Sequence, residues 1–414
     1  MGIIVQKFGG TSVADATKIK NVAKRVVQTH DEGHRVAVVV SAMGDTTDRL
    51  ENLAYEISAN PPERELAMLM STGEQVSIAL LAMAVSELGH RAISLTGTQV
   101  GIMTGGFYSE ARIQSINRGR ILSELEQGKI VILAGYQGVT IDNEITTLGR
   151  GASDTTAVAV AATLDADRCD IYTDVDGVYT ADPRIVPNAR KLGQITHDEM
   201  LEMARLGAKV LHSRSVELAK KFDVNLCVRS SFTESEGTIV VKEGEMIEEV
   251  VVSGVTSDKD QAKVSLLGVP DTPGIAARIF QEIADTHINI DMIIQNISHE
   301  GTTDISFTVA KKDLGATLKI AEILKAKIGC QNISTDKNIA KVSAIGIGMK
   351  SHVGIAARMF RALADEGINI QMISTSEIKI SCVIDDREAE HAVRAIHDRF
   401  ELGNTSNENV GIQG

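Results

Sequence analysis

The segment Ile3-Ile4-Val5-Gln6-Lys7-Phe8-Gly9-Gly10-Thr11-Ser12 sets the architecture of the first half of the chain. A β-branched run ends in two glycines, and a helical pattern begins near Ala14. The glycines let backbone N–H groups approach phosphate oxygens, the helix start adds positive potential, and Lys7 can neutralise phosphate charge. The lysine precedes the glycines, so the segment is not a Walker motif, and a plain strand-to-helix turn stays an equal alternative.

Short β-branched runs alternate with longer helical patterns up to about residue 243. The runs cover residues 3–5, 36–40, 129–133, 169–173 and 224–228. This alternation predicts an α/β fold with a mostly parallel sheet flanked by helices, and ligands at the carboxyl ends of the strands.

The composition limits the possible partners and the compartment. Among 414 residues, 42 Lys and Arg stand against 55 Asp and Glu, giving a net charge of −13 that disfavours nucleic acid and anionic membranes. Residues 1–7 lack the features of a signal peptide, and the longest uncharged stretch, residues 92–109, is too polar to span a membrane. The cytoplasm is expected, because the four cysteines are too dispersed for a metal or disulfide framework: Cys169, Cys227, Cys330 and Cys382.

The second half contains an internal repeat. After an acidic connector at residues 243–249, the segment Gly-Ile-Ala-Ala-Arg-Ile-Phe at 274–280 returns as Gly-Ile-Ala-Ala-Arg-Met-Phe at 354–360. From Gly274 to Ile293, 13 of 20 positions are identical in the two copies, which indicates a duplicated module. The strand and helix patterns of each copy predict a ferredoxin-like βαββαβ unit.

These patterns divide the chain into four parts. We predict an α/β domain at residues 1–243, a linker and leading strand at 244–262, a first module at 263–337 and a second module at 338–414.

Two further polar turns follow buried segments of the first domain. In Gly149-Arg150-Gly151-Ala152-Ser153-Asp154, either Ser153 or Asp154 could cap the next helix, whereas an arginine between two glycines favours binding of a carboxylate or phosphate. The loop from Tyr172 to Arg184 lacks the regular spacing of oxygen ligands found in calcium-binding loops. We therefore interpret it as a nucleotide-contacting loop, with a structural turn as an equal alternative.

Three further segments add to the three glycine-containing segments above: Ser71-Thr72-Gly73-Glu74, Gly207-Ala208-Lys209-Val210-Leu211-His212 and Val228-Arg229-Ser230-Ser231-Phe232. On the basis of these segments, nearly the whole chain resembles the aspartokinase family. The resemblance implies an amino-acid kinase fold followed by two ACT modules, small domains that bind amino acids where two of them pair. Ala152, Ser213 and Thr98 depart from residues common in the family, but none of them removes a charged group.

The resemblance also implies transfer of the γ-phosphate of ATP, with Mg²⁺, to the side-chain carboxylate of L-aspartate, the first step of lysine, threonine and methionine biosynthesis. A carboxylate with an unperturbed pKa near ~3.9 is ionised at neutral pH, so it needs no general base. Catalysis then reduces to aligning two anions and stabilising charge on the transferred phosphoryl group.

Site residues follow from the resemblance by position. The catalytic residues are Lys7 and Asp154. The aspartate-binding residues, in which Arg150 holds the α-carboxylate and Glu74 the ammonium group, are Ser41, Thr47, Glu74, Arg150, Gly151 and Ser153. The nucleotide-binding residues are Lys7, Gly9, Gly10, Thr173, Asp174, Tyr179, Arg184 and Lys209. The effector-binding residues are Asp271, Gly274, Ile275, Ala276, Asp291 and Gln295, with Asn369 and Ile370 of a partner module. No residue is assigned as a metal ligand.

Several alternatives stay open. The resemblance implies feedback inhibition by lysine, threonine or both, and a homo-oligomer formed through ACT pairing. Met246 is either an internal start for a short regulatory chain or an ordinary linker residue. Another ACT-regulated amino-acid kinase and a non-catalytic amino-acid sensor are the competing functions, and the presence of Lys7, Glu74, Arg150 and Asp154 favours catalysis.

Overall fold

The computed structural model describes residues 2–208, 210–242, 251–296, 301–350 and 352–403. The strands in chain order are β1 (Ile3–Phe8), β2 (Arg35–Val40), β3 (Ala92–Leu95), β4 (Ile102–Gly105), β5 (Arg112–Ile116), β6 (Ile130–Ala134), β7 (Gln137–Val139), β8 (Ile145–Thr147), β9 (Arg168–Thr173), β10 (Gln194–Thr196), β11 (Leu226–Ser230), β12 (Thr238–Val241), β13 (Gly254–Pro270), β14 (Ile290–Gln295), β15 (Thr302–Ala310), β16 (Asn332–Ile345), β17 (Met372–Thr375) and β18 (Lys379–Asp385).

The α-helices in the described residues are α1 (Ala16–Asp31), α2 (Thr46–Ile57), α3 (Glu63–Met70), α4 (Thr72–Glu87), α5 (Gly97–Val100), α6 (Arg118–Glu126), α7 (Ala152–Leu164), α8 (His197–Arg205), α9 (Ser213–Phe222), α10 (Ile275–Ala284), α11 (Leu314–Ile328), α12 (Ile355–Asp365) and α13 (Ala389–Arg399). Short 3₁₀ helices lie at Gly10–Val13, Lys311–Asp313, Ile347–Lys350 and Asp386–Glu388.

The chain forms two compact units. The N-terminal unit contains Met1–Val178, Lys191–Arg205 and Lys209–Ile247, and the C-terminal unit contains Tyr179–Arg190, Leu206–Ala208 and Glu248–Gly414. The acidic connector at residues 243–249, including Met246, lies outside the described residues.

An eight-stranded sheet organises the N-terminal unit. Its strand order is β10-β12-β11-β9-β1-β2-β6-β3, and every pairing is parallel except that between β11 and β12. The five strands predicted from β-branched runs are present, so the predicted mostly parallel sheet is confirmed. The sequence analysis did not find a second sheet, which has the order β5-β4-β7-β8.

One helical stretch among the described residues, Glu63–Glu87, is long and apolar enough to cross a membrane, and 44% of its most apolar window is buried inside the structure. It combines α3 and α4. Ile78, Leu81 and Val85 of α4 pack into the main core of the N-terminal unit. These contacts are those of a core helix.

The repeat forms one six-stranded sheet in the C-terminal unit, with the order β14-β15-β13-β16-β18-β17. Strands β13 and β16 are long and antiparallel, and each serves both modules. The end of β16 pairs with β18 in the second module, while residues 254–258 at the start of β13 pair with that same end of β16. The fourth strand of the second module therefore comes from the segment ahead of the first module, because the described chain has no strand after α13.

Equivalent positions of the two modules meet in a pseudo-symmetric contact. Met292 and its repeat partner Met372 share one small buried cluster. Lys341 pairs with Asp291, and the equivalent Lys263 donates to Gln371. The two modules of a single chain thus pair with each other.

Candidate functional site

The site lies where β1 meets its neighbours at the carboxyl edge of the main sheet. The chain passes from β1 to β2 on one side, whereas β9 lies on the other side of β1. Parallel sheets form a ligand crevice at such a switch in strand order. The Gly9-Gly10 turn after β1 therefore occupies the position where an α/β sheet binds ligands.

Lys7 and Asp154 form a buried ion pair at this edge. The Lys7 Nζ atom lies 2.6 Å from Asp154 Oδ1, and the two side chains are 11% and 9% exposed. Asp154 Oδ2 accepts a hydrogen bond from the backbone N–H of His212 at 3.2 Å. The pair fixes the ammonium group beside Gly9, where an added Cβ would lie 3.5 Å from Nζ.

Helix α7 begins at Ala152, directly after the Gly149-Arg150-Gly151 turn. Gly151 is its N-cap, with φ of +76°, and no side chain caps the helix. The alternative in which Ser153 or Asp154 caps the helix is therefore wrong: both lie inside the first turn. Glycine is required at position 151, because its φ is left-handed and an added Cβ would lie 2.8 Å from the His212 ring.

Glu74 is buried in the first turn of α4, where it is 2% exposed. Its Oε1 atom accepts a hydrogen bond from the Ala42 N–H at 3.2 Å, whereas Oε2 is buried without a partner among the described residues. Burial raises the pKa of Glu74 to about 8. A carboxylate placed in this way is suited to receive a cation.

The Gly10 turn and Glu74 are brought together by Ala42, which follows β2. The Ala42 N–H faces Glu74, and an added Cβ at Gly10 would lie 2.9 Å from the Ala42 carbonyl oxygen. The adjacent Ser41 is half-buried, and its N–H donates to the Phe8 carbonyl oxygen at 3.1 Å.

Arg150 lies at the open side of the site, with 69% of its side chain exposed. Its guanidinium contacts two acids of α2: Nη1 lies 2.8 Å from Asp48 Oδ1, and Nη2 pairs with Glu51. These contacts raise the pKa of Arg150. Thr47 lies in the first turn of the same helix and is half-buried. The two acids were not predicted, because nothing in their local sequence links them to the Arg150 turn.

The sequence analysis also missed Gly135 and Tyr136 at the end of β6. An added Cβ at Gly135 would lie 2.8 Å from the Ser153 Oγ atom, and Tyr136 adopts a left-handed φ of 69°. A non-glycine residue in that region is strained and often marks a functional site. The position of Gly135 directly after a buried strand was the signal that could have identified this pair.

The predicted nucleotide loop is divided between the two units. Thr173 ends β9 in the N-terminal unit, where its hydroxyl accepts from the Val175 N–H at 3.0 Å, and Asp174 is exposed beside it. Tyr179 and Arg184 belong to the C-terminal unit. Lys209 lies outside the described residues.

The inserted segment, Tyr179–Arg190, packs within the C-terminal unit. Ala181, Val186 and Ala189 join the core of the second module. The buried Thr180 hydroxyl contacts His397 Nε2 at 3.0 Å and lies 3.1 Å from the Leu402 carbonyl oxygen. The chain leaves the N-terminal unit at Val178 and returns to it at Lys191.

The expected effector residues occupy different environments. Gly274 is the N-cap of α10, with a φ of +89°. Ile275 is buried in the core of the first module, while the carboxylate of Asp291 is engaged by Lys341. The remaining predicted effector residues are exposed or half-buried: Asp271, Ala276, Gln295, Asn369 and Ile370.

Known proteins resemble the chain along nearly its whole length. The profile of the amino acid kinase family matches residues 2–230, and ACT domain profiles match residues 264–329 and 342–400. An aspartokinase of Mycolicibacterium smegmatis is 52% identical over 408 residues, which cover 97% of each chain. An aspartokinase of Pseudomonas aeruginosa is 52% identical over 404 residues, covering 97% of this chain and 98% of its own length.

A solved structure supports the same relationship. Aspartokinase III of E. coli, in complex with aspartate and ADP, has a TM-score of 0.81 and 26% identity over 96% of this chain and 99% of that chain. The N-terminal unit thus contains an amino-acid kinase domain, and two ACT domains follow it. The chain belongs to the aspartokinase family.

Proposed function

We infer that the protein is an ATP-dependent aspartate kinase, which transfers the γ-phosphate of ATP to the side-chain carboxylate of L-aspartate and forms 4-phospho-L-aspartate. Within the site, the observation that carries this function is the buried Glu74 carboxylate, one oxygen of which has no partner in the part of the chain that the structure describes. An unpaired buried carboxylate is costly, and the ammonium group of an amino acid would compensate for it.

We propose that the two ends of aspartate are held by opposite charges. Glu74 binds the ammonium group, and Arg150 exchanges one of its acidic partners for the α-carboxylate. Ser41, Thr47, Gly151 and Ser153 complete the pocket. The side-chain carboxylate of aspartate is then free to attack phosphorus, and it needs no general base because it is already ionised.

Lys7 stabilises negative charge on the transferred phosphoryl group, and Asp154 positions the Lys7 ammonium group. Gly9 and Gly10 allow the phosphates to approach the backbone, while Thr173 and Asp174 lie at the carboxyl end of the neighbouring strand. We propose that Tyr179, Arg184 and Lys209 also serve nucleotide binding, as the family resemblance implies.

Mg²⁺ would arrive with the nucleotide and neutralise charge on its phosphates. Both oxygens of Asp154 are already engaged, by Lys7 and by the His212 N–H. The donor set therefore suits a cation held mainly by phosphate oxygens and water, which is the usual coordination of Mg²⁺ in kinases.

We further propose that amino-acid effectors such as lysine or threonine act through the ACT modules. The pocket includes Asp271, the start of α10 from Gly274 to Ala276, Asp291 and Gln295, with Asn369 and Ile370 of a partner module. Because the segment Tyr179–Arg190 belongs to the core of the second module, a rearrangement of that module would act on the loop that continues from Thr173 and Asp174. An effector shifts this equilibrium only by its differential affinity for two states.

We also propose a compartment and an assembly for the chain. The four cysteines are buried and unpaired, as expected for a cytoplasmic enzyme. Pairing of ACT modules between chains would give a homo-oligomer, and an internal start at Met246 would add a short chain with both modules. Intact-mass analysis of protein from its native host tests the internal start at Met246. Detection of the full-length chain alone would argue against that start.

Product trapping tests the proposed reaction. The purified chain is incubated with Mg·ATP, one amino acid and hydroxylamine, which converts an acyl phosphate to a hydroxamate. Aspartate should give hydroxamate together with ADP, and the Glu74→Gln variant should give little. Product with glutamate instead would identify another amino-acid kinase, and absence of product with every amino acid would favour a non-catalytic sensor.

A further inference from the structure

Two histidines that are 60 positions apart in the sequence meet at the edge of the main sheet opposite Lys7. His30 lies in the last turn of α1, Asp31 ends that helix, and His90 lies between α4 and β3. Their potential ligand atoms all lie within 4.8 Å of one another. Since α1 has 16 residues, it separates this cluster from the Gly9-Gly10 turn by about 24 Å.

The distances in this cluster are too long for hydrogen bonds. Asp31 Oδ1 lies 3.8 Å from His30 Nδ1 and 3.6 Å from His90 Nε2. Elsewhere in the chain, by contrast, His391 Nε2 lies 2.8 Å from Glu366 Oε2, a direct hydrogen-bond distance. Ligands about 2.1 Å from a tetrahedral metal ion are about 3.4 Å apart. The two Asp31 distances are close to this spacing, and the ligand atoms of the two histidines lie within 4.8 Å of each other.

Two further observations favour a cation here. The Nδ1 atom of His30 is buried and has no hydrogen-bond partner among the described residues. Helices α1 and α4 both end beside the cluster, and the carbonyl ends of helices favour positive charge. Gly89, with a φ of +84°, ends α4 and lets the His90 N–H donate to the Val85 carbonyl oxygen at 3.3 Å, which holds His90 in place.

We propose that His30, Asp31 and His90 form a binding site for a transition-metal cation of the Zn²⁺ type. Two imidazole nitrogens and one carboxylate oxygen are a common zinc ligand set, and water completes the tetrahedron at the exposed side of Asp31. Mg²⁺ is disfavoured because it prefers oxygen ligands. The bound ion joins the ends of α1 and α4, whose opposite ends carry the Gly9-Gly10 turn and Glu74.

Metal binding to the full chain tests this site. Chelator-treated protein is titrated with Zn²⁺ against a chromophoric chelator, and with Co²⁺ while visible absorption is recorded. The parent and His391→Ala should bind one Zn²⁺ per chain, with a four-coordinate Co²⁺ spectrum that Mg²⁺ does not displace. Asp31→Asn and His90→Gln should bind Zn²⁺ at least about tenfold more weakly.

Thermal unfolding supplies a second measurement. Zn²⁺ should raise the Tm of the parent and His391→Ala, but not that of Asp31→Asn, since only a metal bound to the folded state stabilises it. Asp31 is exposed, so Asn should preserve the fold, which circular dichroism checks. Absence of Zn²⁺ binding to the parent at micromolar concentration, or equal affinity in the parent and both ligand variants, would overturn the proposal.

Discussion

Each unit contains an ion pair made by a buried lysine, Lys7 with Asp154 and Lys341 with Asp291, but the N-terminal unit also buries Glu74. In the N-terminal unit, Glu74 is 2% exposed, and one of its carboxylate oxygens has no partner among the described residues. In the C-terminal unit, the ammonium group of the buried Lys341 is paired with Asp291. The effector candidates Asp271 and Gln295 are exposed.

We interpret this difference as a need for a ligand in the N-terminal unit, where a cation is required to pair the buried Glu74, whereas the buried Lys341 of the C-terminal unit is already paired. Burial raises the pKa of Glu74 to about 8, so its ionised form is costly until a cation reaches it. The C-terminal unit has its buried ion pair already formed, so an effector need only favour one arrangement of the modules over another. We therefore propose that catalysis belongs to the first unit and control to the second.

The largest effect is expected from Lys7→Ala. Removing the ammonium group that we propose stabilises the transferred phosphoryl group should lower kcat by about 10²–10³-fold. Steady-state kinetics measures this loss, and circular dichroism verifies the fold. Lys20→Ala, which removes an exposed lysine from α1, should leave kcat unchanged. A kcat within a few-fold of the parent would make Lys7 a structural cation.

The pH dependence of aspartate use should reveal Glu74. Because burial raises the pKa of Glu74 to about 8, the free site is mostly protonated at neutral pH and must lose a proton to bind ammonium. The kcat/KM for aspartate should rise about tenfold per pH unit below this pKa and then level off. Glu74→Gln should abolish this dependence, whereas Glu87→Gln, at the exposed end of the same helix, should keep it.

The raised pKa of Glu74 should also make the free energy of unfolding depend on pH. The folded state holds a proton that the unfolded state has lost, so the unfolding free energy should fall as the pH rises from the ordinary glutamate value toward 8. Saturating aspartate should reduce this slope, as denaturant unfolding at several pH values would show. An identical slope with and without aspartate would argue against an ammonium contact with Glu74.

Arg150→Lys should affect one substrate only. The ammonium group of lysine cannot make the two parallel hydrogen bonds of a planar guanidinium group. Loss of one charge-assisted hydrogen bond to the α-carboxylate should raise the KM for aspartate about tenfold. The KM for ATP should stay unchanged. Arg118→Lys, another exposed arginine paired with an aspartate, is the control. A rise in the ATP KM alone would place Arg150 on the nucleotide side.

A smaller effect is expected from Thr180→Val. The buried Thr180 hydroxyl contacts His397 and the Leu402 carbonyl oxygen, so its loss should destabilise the C-terminal unit by about 1–3 kcal/mol. Burial lowers the pKa of His397, which keeps this contact neutral. The effector concentration for half inhibition should shift several-fold, whereas Thr163→Val on α7 should not shift it. Equal sensitivity in both variants would exclude the inserted segment as the coupling route.

Local patterns predicted the strands and turns that build the site. The β-branched run before Gly9 and the position of Arg150 between glycines can be recognised within a few residues. The left-handed Tyr136 was missed, because its conformation depends on the packing of Gly135 against Ser153. The acidic partners of Arg150 were missed for a similar reason, since α2, which carries them, is brought to Arg150 only by the tertiary fold.

In the C-terminal half, the sequence repeat predicted the two modules but not how distant segments complete them. The repeat predicted two related modules, since duplicated residues preserve the same core and the same left-handed glycines at 274 and 354. It did not reveal that residues 254–258 complete the second module, nor that the segment Tyr179–Arg190 packs into it. Both features join segments far apart in the sequence, and no local periodicity encodes such pairings.

Inhibition measured on effector-site variants tests the division between catalysis and control most directly. ADP release is followed at saturating aspartate with lysine, threonine and both together, for the parent, Asp271→Ala and Gln295→Ala. We expect these two variants to keep the parent's rate without effector and to lose much of the inhibition. If both stay as inhibitable as the parent, while a substitution at Glu74 or Arg150 abolishes inhibition, the effector competes with aspartate and control does not reside in the C-terminal unit.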